Sequence, residues 1–325
     1  MPQPTISDVH VDAILTNISI AYMQKAENMI ADKVFPIVPV DKKSNKYFNY
    51  NKNDWFRDEA QRRAPGTESA GGGYNLSTDT YSADVYSFHK DVDDQTLANA
   101  DTPLNPLREA SEFVTSRLLL RREVQFITDF MTTSVWATDV TGVAATPTAG
   151  QFIQWSNYTT SDPIENIEAA KEKILSETGF EGNTLVLGYQ AFRQLKNHPD
   201  IIDRYKYTTS SVITEEMMAR LFGVDRVLVA KSVKATNLES ATGVYAFNFG
   251  KAACLLHVAS NPGLMTPSAG YIFSWTGVSG GLGSTIGTSQ FRMESLKASR
   301  VEAEVAFDNK VVAADLGYFF ASAVV

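Results

Sequence analysis

From Leu107 to Thr141 the chain holds neither glycine nor proline, and no other stretch constrains its fold as strongly. Pro103 to Trp136 reads as a single helix of about thirty residues, on the order of 45 Å long at ~1.5 Å per residue. That is long for a helix in a compact domain, so an extended set of partners must lie along it. Asn105 offers a capping oxygen to the free amides, Pro106 suits the first helical position, and Glu109 suits the positive end of the dipole. Apolar residues recur at helical spacing in two sets: Leu107, Ala110, Val114 and Leu118, then Leu120, Val124, Ile127, Met131 and Val135. At ~100° per residue the second stripe is rotated roughly a quarter turn from the first, which suits a helix with different elements packed along its two halves. Arg117, Arg121, Arg122 and Glu123 fall near the changeover. They read equally as a solvated charged face or as a subunit contact.

A hydrophobic content of 44% over 325 residues indicates a folded chain with room for two or three modules. The formal net charge of −8 argues against tight nucleic-acid binding as the main task, because such affinity comes from Lys and Arg neutralising phosphates. An acidic protein can still enclose DNA without gripping it. Cys254, the single cysteine, cannot form an internal disulfide and reads as a small buried apolar residue rather than a nucleophile. The N-terminus lacks the basic start and apolar run of a signal peptide. Apolar patches such as Ala252 to Leu256 fall far short of the ~20 residues of a membrane span. A soluble protein made in a reducing cytoplasm, with no membrane partner, is expected.

Residues 1 to 46 read as an arm: a polar start, an amphipathic helix from Ile14 to Ala31, and an extended exit held by Pro36 and Pro39. Lys46 to Arg57 is aromatic and basic, and residues 64–73 are rich in Gly and Pro. Tyr74 to Phe88 is again extended, with Leu76, Thr78 and Thr80 on alternate positions. Two strands around such a turn make a long hairpin over residues 47–90, and a hairpin without its own core needs another surface. Basic residues among aromatics also suit a single-strand nucleic-acid platform.

Beyond the long helix, Asp162-Pro163-Ile164-Glu165 opens a helix that Gly179 closes. Thr184 to Leu187 reads as a buried strand, Tyr189 to Asn197 and Thr214 to Phe222 as helices, and Val224 to Ala230, Val244 to Phe249 and Ala252 to Val258 as strands. This alternation predicts a compact α/β module. Tyr271 to Thr276 is a strand, Gly277 to Gly287 a loop, and Phe291 to Phe307 one long alternating stretch. The apolar end, Tyr318 to Val325, should pair into a sheet beside the long helix. The fold class expected is α+β.

Few residues carry chemistry. Gly277-Val278-Ser279-Gly280-Gly281 matches the nucleophile elbow of serine hydrolases, but no helix-forming sequence follows it and no histidine lies beyond His257. Gly281, Gly283 and Gly287 have the wrong spacing for a dinucleotide loop. His89 with Asp91, Asp93 and Asp94 lacks a recognised metal-ligand spacing and reads as a solvated acidic turn. No catalytic, cofactor or metal site is expected.

The order of parts resembles the major capsid proteins of tailed bacteriophages, whose fold is shared with encapsulin shells. The resemblance runs along the whole chain. Its most specific stretches are Ala31-Asp32-Lys33-Val34-Phe35-Pro36, Arg62-Arg63-Ala64-Pro65-Gly66, Asn183-Thr184-Leu185-Val186-Leu187-Gly188, Leu195-Lys196-Asn197-His198-Pro199 and Leu221-Phe222-Gly223-Val224. It implies an arm (1–46), an extended loop over the next subunit (47–90), a peripheral domain (91–160) with a spine helix (103–136), an axial domain (161–270) and returning peripheral strands (271–325). The implied function is the subunit of an icosahedral or prolate virion shell, assembling in the host cytoplasm into hexamers and pentamers around double-stranded DNA. Trp55, Phe56, Arg57, Arg62, Arg63, Arg117, Arg121 and Arg122 are then the expected contacts between subunits. A portal and a possible decoration protein are further expected partners.

Two departures qualify what the family implies. Some members lock their shells with a Lys–Asn isopeptide bond from a lysine near the loop tip, but residues 53–73 contain no lysine, so a shell without covalent crosslinks is expected. Some carry an N-terminal scaffolding domain of around a hundred residues. Here the arm and hairpin occupy that length, which implies a separate scaffolding protein or an already processed start. An encapsulin-like compartment, a hydrolase using Ser279 and a single-strand-binding module are the competing readings.

Overall fold

A computed structural model describes residues 24–100, 104–205, 213–238, 242–263, 265–278 and 286–325. Most of the expected arm helix lies outside these residues. From Gln24 onward the arm is not one continuous helix: a 3-10 turn at Ala26–Asn28 precedes a single helical turn at Ala31–Val34. Strand β1 (Ile37–Val40) follows, then the hairpin strands β2 (Ser44–Tyr50) and β3 (Leu76–Ser82), paired antiparallel from Ser44↔Ser82 to Tyr50↔Leu76. The extended run read from Tyr74 to Phe88 is two strands. It breaks at the buried Ala83, and β4 (Asp84–Asp93) joins a different sheet.

The spine helix runs from Pro106 to Phe130, 25 residues, and not to Trp136. Asn105 caps it through the Arg108 amide at 3.2 Å. At its other end Met131 leaves helical geometry and the Trp136 indole donates to the Phe130 carbonyl at 2.7 Å, satisfying one of the terminal acceptors. The buried face is a single winding stripe through Ala110, Val114, Leu118, Arg122, Phe126 and Phe130. Steps of four residues advance ~40° each, so the face rotates along the helix as expected, but it does so through charged residues. Leu120 and Val124 are only half-buried. The N-terminal half faces a sheet, and Phe126 and Phe130 meet Phe35 of the arm with ring centroids 6.1 and 4.6 Å apart.

After the spine come β5 (Thr138–Val143) and β6 (Gln151–Ile153), then the helix Pro163–Thr178, capped by Asp162 and closed by Gly179 in the left-handed region (φ 74°). Strand β7 (Thr184–Gly188) is buried throughout, and the helices Tyr189–Lys196, Pro199–Tyr205 and Glu215–Phe222 pass to β8 (Arg226–Ala230). A separate ribbon, β9 (Val233–Ala235) with β10 (Tyr245–Phe247), precedes β11 (Ala253–Leu256) and β12 (Gly270–Trp275). The alternating stretch read as one strand from Phe291 to Phe307 is a hairpin: β13 (Gly287–Met293), a tight turn with Lys297 at φ 48°, and β14 (Ala298–Val311). Strand β15 (Gly317–Ala321) ends the ordered elements.

Two larger sheets result. One has the order β1-β12-β14-β13 with β4 also on β14, and lies along the spine; the other has the order β6-β5-β15-β11-β7-β8. The apolar C-terminus therefore does not pair beside the spine. Strand β15 runs between β5 and β11, inside the sheet of the α/β module, where Phe320 packs on Trp155 and Phe152. Phe319 and Phe320, adjacent in β15 and so on opposite faces, are both buried, which leaves periodicity without a signal to place the strand. The resulting architecture is α+β, with the larger hydrophobic core running from the arm through the spine into the module and a second, small cluster at Tyr81, Tyr271 and Phe273.

Candidate inter-subunit surface

The hairpin is fastened to the body at its base and again beyond the end of β2, where Lys52 pairs with Asp315. Tyr81 stacks on Phe273 at 4.6 Å and 11°, and Tyr47 stacks on the same ring at 5.5 Å. The Ser82 amide donates to Asp308 at 2.7 Å. Burial, with Asp79 close by, pushes the Tyr47 phenol above its ordinary pKa, so this anchor is neutral. Beyond the base every residue from Trp55 to Thr80 is exposed. Tyr50, Trp55 and Tyr74 form an aromatic cluster with ring centroids 5.5 to 6.4 Å apart, which holds the end of the hairpin together without a core.

The expected contact residues fall into three groups. Trp55 (53% exposed) and Phe56 (61%) stand on the hairpin. Arg57 there pairs with Asp54 and Glu59 at 3.6 and 3.5 Å, Arg63 donates to the Thr67 carbonyl, and Arg62 is exposed. Arg117 and Arg121 lie on the outer face of the spine, over the rings of Phe113 (5.1 Å) and Tyr86 (5.2 Å). Arg122 is different. It is 3% exposed, sits 2.7 Å from Asp32 of the arm and lies over Phe307. Burial lowers its pKa and Asp32 pulls it back up, so this guanidinium works inside the subunit and not between subunits.

Glu123, beside it, is fully buried. Its carboxylate accepts the amides of Ile30 (3.0 Å) and Ala31 (2.9 Å) and the Ser232 hydroxyl (3.0 Å). Spine, arm and module meet on this one side chain. Arg226 adds a second strap, donating to the Val34 carbonyl at 2.9 Å and to Thr184 Oγ1 at 3.1 Å. At Arg122 and Glu123 the charged changeover on the spine is thus a buried joint within the subunit, while Arg117 and Arg121 stay exposed. Only the presence of an acid and a base at positions continuing an apolar i, i+4 stripe could have signalled this in the sequence. Ser232, Arg226 and Gln24 gave no signal, because their partners lie far away in the chain.

The residues weighed for catalysis take structural roles where they can be followed. Ser279, Gly281 and Gly283 lie outside the described residues; Gly287 opens β13. Cys254 is buried in β11 with its thiol pKa raised well above the ordinary value by burial. The acidic turn is not merely solvated: Asp91 is held by two bonds to Arg300 (2.7 and 2.8 Å), Asp94 pairs with Arg292, and Asp93 caps the Thr96 amide. A buried Ser161–His198 contact of 3.0 Å, with Asp200 nearby, has the outline of a triad. However, His198 Nδ1 accepts the Asp200 amide at 3.3 Å. Its Nε2 therefore carries the proton and donates to Ser161, whose hydroxyl donates to the Asn157 carbonyl at 2.6 Å. The direction is opposite to that of a general base. Among the described residues no group of acids, His and Cys could hold a metal ion, and no helix is long and apolar enough to cross a membrane.

The family model for phage major capsid protein E matches residues 148–252. The major capsid protein of Burkholderia phage BcepMu is 25% identical over 246 residues, covering 73% of this chain and 74% of that protein. The chain is a relative of the phage major capsid proteins. Its fold agrees with theirs: the capsid structure of cyanophage P-SCSP1u superposes with a TM-score of 0.64 over 97% of this chain and 93% of that one, at 11% identity. A phage-related protein from Bordetella bronchiseptica gives a TM-score of 0.67 over 92% and 94%, at 22% identity. The shell protein of an encapsulin complex from Synechococcus elongatus shares the fold at a TM-score of 0.58 and 12% identity, over 96% and 95%.

Proposed function

We propose that this chain is the structural subunit of an icosahedral or prolate phage shell, in which hexamers and pentamers enclose double-stranded DNA. The observation that carries this reading is the hairpin: a run of exposed residues from Trp55 to Thr80, anchored to the body at its base and through Lys52, on a chain related to phage major capsid proteins. Two strands with so little burial are marginal alone, and a neighbouring copy supplies the missing surface. Residues 47–90 serve as the extended loop, the spine and its sheet as the peripheral domain, and residues 161–270 as the axial domain around the symmetry centres. Trp55, Phe56, Arg57, Arg62, Arg63, Arg117 and Arg121 are the contacts. The net charge of −8 suits a container that must release its DNA. A separate scaffolding protein, a portal and a decoration protein complete the assembly in the host cytoplasm.

Negative-stain electron microscopy with sedimentation of the purified protein tests this. Closed shells, or rings of five and six, are expected. A uniform monomer or small dimer, even with a scaffolding partner supplied, would remove the reading. The shared fold with an encapsulin makes a cargo compartment the second reading. Nucleic acid inside shells from the native source supports the virion, and enclosed enzyme supports the compartment.

A further inference from the structure

His198 is fully buried and stands immediately before the helix Pro199–Tyr205. Its carbonyl accepts the Ile201 and Ile202 amides at 3.1 and 3.0 Å, and Pro199 takes the first helical position, so His198 caps this helix. The capping atom is Nδ1, which accepts the Asp200 amide at 3.3 Å. Elsewhere in this chain Asn105, Asp162 and Thr214 cap helices with oxygens, which stay acceptors near neutral pH. A ring nitrogen does not. Once protonated, Nδ1 is a donor and faces the amide donor to donor.

An acceptor for that proton is already in place. The Asp200 carboxylate lies 3.5 Å from Nδ1, on the same residue whose amide the neutral ring accepts. The ring therefore has two arrangements: neutral, it holds the amide and the start of the helix; protonated, it holds the carboxylate and releases the amide. The opposite nitrogen does not oppose the change, because Nε2 donates to Ser161 at 3.0 Å in either state.

The surroundings favour the neutral ring. Burial lowers its pKa, and Asp200 on the capped helix and Asp162 at the cap of the helix Pro163–Thr178 pull it back up. The segment before that helix faces it with Ser161, Asn157 behind Ser161, and the Tyr158 ring edge-on at 5.4 Å. The helix Tyr189–Lys196 meets it through the Leu195 carbonyl, which accepts the His198 amide at 3.1 Å. With the folded value below the ordinary one, an opened helix whose ring is in water takes up the proton more readily than the closed helix. The advantage of the closed form is complete above the ordinary histidine value of about 6.5 and declines as pH falls toward the folded value.

We propose that His198 is a titratable helix cap, an acid-operated catch that releases the helix Pro199–Tyr205 from the module below neutral pH. Release draws the fully buried Ile201 out of the core and parts the Tyr205 hydroxyl from the Met217 carbonyl, 2.7 Å away, which loosens the tie to the helix Glu215–Phe222. This requires only a folded subunit and stands whether or not the chain builds a virion shell.

The test follows amide hydrogen exchange of the full chain from pH 8 to 5, each rate divided by the intrinsic rate at that pH. Protection over residues 200–205 should fall at least about fivefold between pH 7.5 and 5.5, while the helix Pro163–Thr178 keeps its protection. In His198→Asn, whose side-chain oxygen caps without titrating, the fall should vanish. A second readout leaves His198 in place: nitrogen NMR of histidine-labelled chain with His10, His89 and His257 changed to Gln should show Nδ1 without a proton at pH 8. A proton on Nδ1 at pH 8, a fall that persists in His198→Asn, or wild-type protection over 200–205 that runs parallel to that of Pro163–Thr178 overturns the proposal.

Discussion

The buried carboxylate of Glu123 accepts the Ala31 amide at 2.9 Å across 92 positions of sequence. Because the same group takes the Ile30 amide and the Ser232 hydroxyl, one side chain closes the joint between arm, spine and module. Glu123→Ala leaves those donors buried without an acceptor, at ~1–3 kcal/mol for each unsatisfied group. A loss of about 3 kcal/mol or more is expected in urea unfolding, with faster amide exchange at residues 28–34. Glu123→Gln keeps one acceptor and should lose less. Equal stability of wild type and Glu123→Ala would remove the joint from the account of this fold.

The same residue gives a pH signature. Burial holds its carboxyl above the ordinary value, partly offset by the hydrogen bonds it accepts. The folded chain thus keeps this proton where the unfolded chain has lost it. Its contribution is complete below the ordinary value of about 4.3 and declines as pH rises through the folded value. Asp91 works in the opposite sense: hydrogen bonds from Arg300 hold it low, so its contribution is present above the ordinary range and is lost as pH falls through the folded value. Unfolding midpoints in steps from pH 3 to 8 should lose the first trend in Glu123→Gln and the second in Asp91→Asn. Parallel profiles for all three proteins would refute the assignment.

Hairpin substitutions should separate assembly from folding. Phe56 and Arg62 are exposed in the subunit and stand outside the hairpin's aromatic cluster, so the double alanine variant should change subunit stability by no more than about 0.5 kcal/mol. Sedimentation should nevertheless show loss of shells or rings. Normal assembly by the variant would dismiss these residues as contacts.

Backbone closeness in the central sheet makes Gly142 a sensitive position. A Cβ there would stand 2.2 Å from the Ser322 carbonyl oxygen, and that atom belongs to the backbone and cannot rotate away. Gly142→Ala should push β5 from the C-terminal strand and cost about 1–3 kcal/mol or more, read as a shift in denaturation midpoint without a change in slope.

Covalent locking offers a simple gel assay. With no lysine in residues 53–73, assembled material boiled in detergent should run as a single band at the 35.7 kDa chain mass. A ladder of oligomers would show a crosslink that the hairpin's composition does not suggest.

Local chemistry made much of this fold readable. Asn105 and Asp162 cap their helices and Gly179 and Gly223 end theirs in the left-handed region, because these signals act within a few residues. Strand β7, apolar after Thr184, likewise carried its burial in its own composition. The two-stranded hairpin was legible from alternation around a Gly/Pro-rich turn, and the absence of a core from its polarity.

What the sequence could not decide was which distant groups would meet. Arg122 and Glu123 look like surface charges until the arm arrives with Asp32 and two free amides. The apolar C-terminus is a strand by pattern, but its neighbours β5 and β11 were set by which sheet had an open place between them. The spine stops at Phe130 because an indole six residues on takes its last carbonyl. Propensity and periodicity are properties of a short window of chain. A buried charge or a sheet neighbour is a property of the whole folded core, where removal from water makes the correct partner worth several kcal/mol more than any other.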